Sequence, residues 1–188
     1  IISAPNFEKD KLYKKEATVI YDKNGIEFAR VGQEDRELIE YKDLPQVYID
    51  ALIATEDSRF FQHNGLDIAR FLKASVGQLV SSKAGGASTI TMQLVKKTYT
   101  NGASKGIAGI VRKFTDIYMA VFKIESSYTK EEILEFYSNS LWYANGRSIN
   151  TTGIYGIEQA SQHFFGKSVR DLNLAEASLI VGMYQNPR

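Results

Sequence analysis

Apolar residues recur at intervals of three and four along most of this chain, from Asp43 almost to its C-terminus. Such spacing places side chains on one face of an α-helix. It predicts seven or so helices, with apolar stripes in the ranges 47–55, 68–79, 90–98, 110–122, 133–137, 157–165 and 174–183. The chain is therefore predicted to be mainly α.

Polar residues that can cap a first helical turn precede most of these stripes. Asp43 with Gln46, and Thr129 with Glu132, match the capping-box pattern, in which two side chains satisfy each other's backbone N–H groups. The remaining predicted caps are Asp67, Ser88 and Asn173.

Two β-prone runs, at residues 18–21 and 26–31, flank the sequence Asp22-Lys-Asn-Gly25 and predict a β-hairpin. This is the only convincing β signal in the sequence, and residues 145–153 are predicted to form a loop. We therefore expect residues 1–40 to form an N-terminal linker and hairpin, and residues 41–188 to form a helical domain.

The composition excludes several classes of protein. A chain of 188 residues can bury a substantial core, and its net charge of +1 gives no general argument for nucleic-acid binding. The absence of cysteine excludes disulfides and thiolate metal sites, and no apolar run reaches the roughly 20 residues of a membrane span. Because the chain starts at Ile1 without methionine and ends just after a helical pattern, we expect a longer parent protein that holds any membrane anchor.

Two adjacent acids, Glu56 and Asp57, lie where the first apolar stripe ends, and Phe60, Phe61 and His63 follow. Acids are unfavourable at a helix C-terminus, which favours a functional explanation over a solvated helix end. Aromatic neighbours can desolvate a carboxylate and raise its pKa, as suits a general acid or base. We expect Glu56 to react, Asp57 to orient it or bind the loop backbone, and His63 to be a packed, hydrogen-bonded support.

The segment 85–97 runs from two glycines into a helix that carries Ser88, Thr89, Gln93 and Lys96. Free backbone N–H groups and the positive end of the helix dipole make such a helix start a natural anion site. A capped helix followed by solvated lysines explains the same residues about as well. The segment lacks the Gly-Lys-Ser/Thr sequence of a P-loop.

Arg112, Lys113 and Asp116 lie together on the fourth predicted helix. Arg112 and Asp116 are one turn apart, and an ordinary surface ion pair would stabilise the helix by only a few tenths of a kcal/mol. The functional alternative is a second carboxylate with two cations that hold a leaving diphosphate, as glycosyl transfer requires. Spacing alone cannot bring Glu56 and Asp116 together; only the fold can.

Four motifs follow one another in the chain. They are Glu56-Asp-x-x-Phe60-x-x-His63-x-Gly65, Gly86-x-Ser88-Thr-Ile-Thr-x-Gln93-x-x-Lys96, Arg112-Lys113-x-x-acid and Glu132-Ile-Leu-Glu135-x-Tyr137-x-Asn139. Together they resemble the motifs of the peptidoglycan glycosyltransferase (transglycosylase) domain, found in class A penicillin-binding proteins and in monofunctional peptidoglycan glycosyltransferases. The hairpin resembles the segment that precedes this domain in the class A proteins, which favours that bifunctional type. Asp116 stands where the family usually has glutamate, and Met92 where it has glutamine.

The resemblance implies a lysozyme-like helical fold with a membrane-facing lobe. It also implies polymerisation of lipid II, by inverting transfer from an undecaprenyl-diphosphate-linked glycan chain to the 4-hydroxyl of lipid II. By the same resemblance Glu56 is the general base and Asp116 is the second catalytic acid. The substrate-binding residues that it implies are Asp57, Ser88, Thr89, Gln93, Lys96, Arg112 and Lys113.

The resemblance further implies a location on the extracytoplasmic face of the bacterial cell membrane, held by a single N-terminal anchor outside this sequence. The implied partners are lipid II, the lipid-linked glycan chain, the membrane surface, moenomycin-type inhibitors and other cell-wall synthesis proteins, with no nucleic acid. No cofactor is required in the family, although a divalent cation, Mg²⁺ or Mn²⁺, assists some members. No metal-ligating residue is predicted in this chain.

Two other functions fit part of the sequence. A lysozyme-like glycan hydrolase would also need an acidic pair beside a sugar groove. It would not need the cations of this chain, Lys96, Lys97, Arg112 and Lys113. A non-catalytic domain that binds lipid II or a wall-synthesis partner would fit the shorter acid at Asp116. Because the cationic residues suit a diphosphate leaving group, the sequence favours transfer.

Overall fold

The computed structural model describes residues 18–31, 33–80, 88–99, 107–144 and 151–185. Within these ranges it contains seven α-helices, which confirms the prediction of a mainly α chain and is consistent with the lysozyme-like class. They are α1 (Gln46–Glu56), α2 (Ile68–Val80), α3 (Ile90–Tyr99), α4 (Ile107–Met119), α5 (Lys130–Ser140), α6 (Ile157–Phe165) and α7 (Leu174–Gln185). A π-helical segment, Ala120–Ile124, continues α4.

The predicted hairpin is present. Its strands β1 (Thr18–Tyr21) and β2 (Glu27–Val31) pair in antiparallel fashion. The carboxylate of Asp22 closes the turn, because its Oδ1 accepts hydrogen bonds from the backbone N–H groups of Asn24 at 2.8 Å and Ile26 at 2.9 Å. Gly25 supplies the positive φ, +76°, that this turn requires.

A second sheet was not predicted. It has the strand order β3–β5–β4, where β3 is Gln33–Arg36, β4 is Trp142–Ala144 and β5 is Thr151–Tyr155. Strand β3 is parallel to β5, and β4 is antiparallel to it. The predicted loop 145–153 is therefore wrong for residues 151–153, and its residues 145–150 lie outside the described ranges.

Gly153 shows why the sequence pattern was misleading there. A Cβ atom at this position would lie 2.4 Å from Nε1 of Trp142, so only glycine lets the indole cover strand β5. The residue that favoured a loop prediction is required by packing inside a strand. Strands of three to five residues are also too short to show a clear alternation of apolar and polar residues.

Two helix starts show reciprocal capping. Thr129 Oγ1 accepts from the N–H of Glu132 at 3.2 Å, and Glu132 Oε2 accepts from the N–H of Thr129 at 2.8 Å. Asn173 and Glu176 make the same exchange at the start of α7. These contacts confirm the capping box at Thr129 and the cap at Asn173.

The predicted capping box of Asp43 and Gln46 is wrong. The carboxylate of Asp43 lies 2.9 Å from a guanidinium nitrogen of Arg170 instead of at the start of α1. Helix α1 begins after Pro45, whose carbonyl oxygen accepts from the N–H of Tyr48 at 2.9 Å. A long-range ion pair has therefore displaced a local cap.

The chain divides into two compact units, each with its own buried core. The described residues of the first unit are 53–80, 88–99 and 107–137, and those of the second are 18–31, 33–52, 138–144 and 151–185. The first core includes Phe60, Ile90, Leu94, Val95, Met119, Ile133, Leu134 and Phe136. The second includes Tyr48, Ile49, Leu52, Leu141, Tyr143, Ile154, Ile157 and Ile180.

Asn139 holds part of the second unit together through its side chain. This residue is 1% exposed; its Oδ1 accepts from the N–H of Ile39 at 3.0 Å and its Nδ2 donates to the carbonyl oxygen of Ile39 at 2.8 Å. One amide thus satisfies both backbone polar groups of a buried residue.

The apolar stripe of α4 and its π-helical continuation lies at the surface. Phe114 and Phe122 are 63% and 62% exposed, whereas Met119 and Ala120 on another face are fully buried. Among the described side chains of α2 and α4, five more large apolar residues are exposed: Ile68, Leu72, Ile110, Val111 and Tyr118. No helix in the described ranges is long and apolar enough to cross a membrane.

Candidate active site

Glu56 is the last residue of α1, and its side chain is half-buried. Its Oε2 accepts a hydrogen bond from Nε2 of Gln93 at 2.9 Å. Gln93 lies in the first turn of α3, and its Oε1 accepts in turn from the hydroxyl of Tyr137 at 3.0 Å. The fold thus brings together residues from the first, second and fourth sequence motifs.

Asp57, directly after Glu56, is fully buried. Nε2 of His63 lies 3.0 Å from both of its carboxylate oxygens, and its Oδ2 accepts from the N–H of Ile90 at 3.1 Å. Because Ile90 is the first residue of α3, Asp57 satisfies a backbone donor at the positive end of that helix. Asp57 therefore bonds to the backbone at the start of α3 and to His63, and its burial does not support the substrate contact that the resemblance implied for it.

Arg70 explains how α1 tolerates acids at its C-terminus. Its Nη1 donates to the carbonyl oxygen of Glu56 at 3.0 Å, which places a cation at the negative end of the helix. The N–H of Arg70 donates to Oδ1 of Asp67 at 2.9 Å, which confirms Asp67 as the cap of α2. Burial raises the pKa of Asp67, but the hydrogen bonds from Arg70 and from the Arg59 guanidinium outweigh it and hold the pKa below its usual value.

Thr89, and not Ser88, caps α3. Its Oγ1 accepts from the N–H of Met92 at 3.2 Å and donates to the carbonyl oxygen of Gly65 at 2.7 Å. Thr89 is fully buried, so the predicted substrate contact of this residue has no support from its position. Ser88 instead accepts a hydrogen bond from Nζ of Lys113 at 2.7 Å. The glycines of this motif lie outside the described residues.

Lys113 is the centre of a cationic cluster that also contains Lys96, Arg112 and Asp116. Burial lowers the pKa of the Lys113 ammonium below its usual range; the Asp116 carboxylate opposes this effect, and the positive charges of Lys96 and Arg112 add to it. Asp116 is only 4% exposed. The cations predicted on separate helices therefore lie close enough to one another to interact electrostatically.

Both halves of the candidate site are attached to the start of α3. Gln93 holds Glu56, and Ser88, two residues before the helix, holds Lys113. A carboxylate and a cationic cluster that are each hydrogen-bonded to the start of one helix can act on the two ends of a single transfer reaction.

A further polar network on α3 was missed from the sequence. Oε1 of Glu125 accepts from the hydroxyl of Thr91 at 2.6 Å and from Nζ of Lys130 at 2.8 Å. Gly65 packs beside it at φ +80°, and a Cβ atom there would lie 2.9 Å from the carbonyl carbon of Ala120. No local pattern in the sequence links these positions.

The role of Tyr137 was also missed. Helical periodicity placed it on the inner face of α5, and it is fully buried. Since a buried tyrosine hydroxyl usually finds a hydrogen-bond partner, the available signal was its residue type together with its predicted burial.

The described residues contain no group of three or more His, Asp or Glu side chains that could hold a metal ion. The donor set of this part of the chain therefore does not fit a cation held by protein ligands alone. We derive no step of the reaction through one.

Comparison with known proteins gives the family. The transglycosylase family matches residues 24–188, so the chain belongs to the transglycosylase family. The match confirms the resemblance seen in the four motifs.

The most similar relatives include several penicillin-binding proteins. Penicillin-binding protein 1A of Streptococcus pneumoniae strain R6 is 34% identical over 187 residues, which is 100% of this chain and 25% of the relative. Penicillin-binding protein 1A/1B of Bacillus subtilis strain 168 is 34% identical over 189 residues, 100% of this chain and 19% of the relative. Penicillin-binding protein 1A of Neisseria gonorrhoeae is 39% identical over 169 residues, which is 89% of this chain and 20% of the relative.

The chain thus spans about a quarter or less of the length of these three curated relatives. Their names support a transglycosylase domain of the class A penicillin-binding type, as the hairpin resemblance predicted.

Proposed function

We propose that this chain is a peptidoglycan glycosyltransferase domain that polymerises lipid II. The observation that carries the proposal is the shared start of α3, to which Glu56 is tied through Gln93 and Lys113 through Ser88. Membership of the transglycosylase family supports it. A hydrolase would use a similar acid but has no diphosphate to stabilise, so the cationic cluster favours transfer.

Glu56 is the base in this mechanism. It accepts the proton of the 4-hydroxyl of lipid II while that oxygen forms a bond to C1 of the donor sugar. The bond between C1 and the diphosphate oxygen breaks, and its electron pair leaves with the undecaprenyl diphosphate. Attack opposite the leaving group inverts the configuration at C1.

The cationic cluster stabilises the leaving group. Lys96, Arg112 and Lys113 face the negative charge that develops on the diphosphate, where fixed cations lower the barrier most. Burial is the main cause of the lowered pKa of Lys113, and the charges of Lys96 and Arg112 add to it; an incoming dianion would stabilise the charged ammonium against both effects. Asp116, the second acid, is the opposite charge that steadies these cations before the diphosphate binds.

Asp57 and Thr89 have positioning roles in this proposal. Both are fully buried and bond to the backbone at or beside the start of α3, so they fix the helix that carries Gln93. Ser88 and Gln93 are half-buried and remain the side chains of this helix start that can reach a substrate.

The exposed apolar side chains of α2 and α4 suit the membrane surface where a polyprenyl-linked substrate resides. Residues 110, 114, 118 and 122 lie at intervals of four along α4 and its π-helical continuation, and each is at least 46% exposed. Such a stripe on a surface marks an interaction site. The extracytoplasmic location with its N-terminal anchor, the domain boundary near residue 40, the moenomycin-type inhibitors and the other wall-synthesis partners stay predictions.

The decisive experiment is incubation of the purified chain with lipid II, followed by separation of the glycan products. Wild type should form polymer, and Glu56→Gln should reduce the rate by about 100-fold or more, because a positioned general base contributes that much. Glu131→Gln, which removes an exposed acid from α5, is the matched control and should polymerise normally.

Two results would contradict the proposal. One is the absence of polymer from wild type, and the other is equal polymer from Glu56→Gln. Release of reducing ends from preformed glycan, without growth from lipid II, would support the hydrolase instead.

A further inference from the structure

Three polar side chains from three helices form a series that ends at Glu56. The hydroxyl of Tyr137 donates to Oε1 of Gln93 at 3.0 Å, and Nε2 of Gln93 donates to Oε2 of Glu56 at 2.9 Å. Tyr137 is fully buried, so it cannot touch a substrate in the site. In this series its connection to Glu56 runs through Gln93.

The two ends of the Gln93 amide are not equivalent. Its oxygen only accepts hydrogen bonds and its nitrogen only donates them, whereas a carboxylate only accepts. The Glu56 carboxylate therefore requires Nε2 to face it, and the Tyr137 hydroxyl donates to the oxygen at the other end, so the two contacts together hold the amide in place. Because Gln93 is half-buried, this second bond also restrains a side chain that could otherwise rotate toward a bound diphosphate.

We propose that Tyr137 is a positioning residue for glycosyl transfer, which acts on the base Glu56 by orienting the Gln93 amide. The bond to Oε2 fixes the plane of the Glu56 carboxylate, and so the direction in which its lone pairs meet the acceptor hydroxyl. Hydrogen bonds in series polarise one another, so the Tyr137 hydroxyl also strengthens the bond that Gln93 makes to Glu56. This inference rests on the proposed role of Glu56 as the base.

The test is the kinetics of lipid II polymerisation by Tyr137→Phe. This variant keeps the buried ring and removes only the hydroxyl. We expect kcat to fall about tenfold with little change in KM, because the hydroxyl orients the reacting group and makes no contact with the substrate. A purely structural role would lower thermal stability and leave kcat of the folded fraction unchanged.

Tyr48→Phe is the matched control. Tyr48 is also fully buried, and its hydroxyl donates to Oγ of Ser138 at 3.1 Å in the second unit. Both variants should lose a similar amount of thermal stability, but Tyr48→Phe should keep the wild-type kcat.

A double-mutant cycle tests the route through Gln93. In a Gln93→Ala background, Tyr137→Phe should have no further effect on kcat, because the side chain that it orients is absent. The inference is overturned if Tyr137→Phe keeps the wild-type kcat, or if it lowers kcat by the same factor with and without Gln93. Activity in wild type together with its loss in Glu56→Gln shows that such a failure concerns Tyr137 alone. A wild type without polymer overturns both proposals.

Discussion

The two compact units of this chain use their polar side chains differently. In the unit Ile53–Tyr137, Lys113 is half-buried in a cluster of charges and apolar side chains such as Phe114 are exposed. In the other unit, Asn139 and Asn173 satisfy backbone groups that would otherwise lack a partner. These polar side chains therefore serve the proposed chemistry in the first unit and the backbone in the second.

Lys113→Gln should give the largest effect, a loss of polymerisation activity without a loss of stability. Loss of one stabilising cation should slow polymerisation by about 10²–10³-fold, as for other groups that stabilise a developing negative charge. Because folding lowers the pKa of Lys113, its charged form opposes folding at neutral pH, and the variant should unfold at the same temperature or higher. Polymerisation rates and thermal unfolding check both parts.

Lys123→Gln, in the π-helical segment, is the charge-matched control for Lys113→Gln. It should retain activity. An equal loss in the two variants would mean that net charge, and not the cluster, matters.

Asn139→Ala should lower stability rather than act on the chemistry. The substitution leaves both backbone groups of buried Ile39 without their partner, which should cost about 2–4 kcal/mol of unfolding free energy. Asn173→Ala, which removes an exposed helix cap, should cost only about 1 kcal/mol. Denaturant unfolding measures both, and equal costs would contradict the assignment of Asn139 as a buried clamp.

The Asp116 series tests how far the chemistry depends on the second acid. Asp116→Asn should slow polymerisation about tenfold, or roughly 1.4 kcal/mol, since it removes the opposite charge beside Lys113. Asp116→Glu, which restores the usual family residue, should keep or raise the rate. Equal rates in all three proteins would exclude Asp116 from the mechanism.

Asp67→Asn should give the smallest effect and a distinctive pH dependence. Asparagine can still cap the helix, but the substitution removes the negative charge that pairs with the Arg59 guanidinium, which should cost about 1 kcal/mol at neutral pH. The pKa of Asp67 is held below its usual value in the folded state. The ionised carboxylate therefore stabilises the fold fully at pH values above the usual pKa, and this stabilisation is lost as the pH falls through the folded pKa. The difference between variant and wild type in denaturant unfolding should shrink below about pH 4. A difference that persists at lower pH would contradict this account.

The sequence predicted the elements that depend on local signals. Helical periodicity found the seven helices, and the turn residues Asp22–Gly25 found the hairpin. Periodicity shows that a helix has an apolar face but not whether another element covers that face. The exposure of the apolar stripe at residues 110–122 was therefore not predicted. Strands β3 and β5 were missed because their pairing joins distant segments, which no local pattern records.

For the candidate site, the sequence identified the residues but not their contacts. The residue types at Glu56, Gln93 and Lys113 were enough to suggest a base, an amide and a cation. That Ser88 would bind Lys113 while Thr89 capped α3 depends on a one-residue shift of the helix start. The bonds from Asp57 to Ile90 and from Tyr137 to Gln93 join segments that only the tertiary fold brings together.

Gly65 has a consequence for the motion of the site. Gly65 packs so closely against Ala120 that there is no room for a Cβ atom between them. The loop that carries His63 therefore cannot slide past the π-helical segment Ala120–Ile124. The loop and this segment should therefore open together or remain closed together. Amide hydrogens on both should then show one common free energy of opening in hydrogen exchange, as a single cooperative unit beside the base.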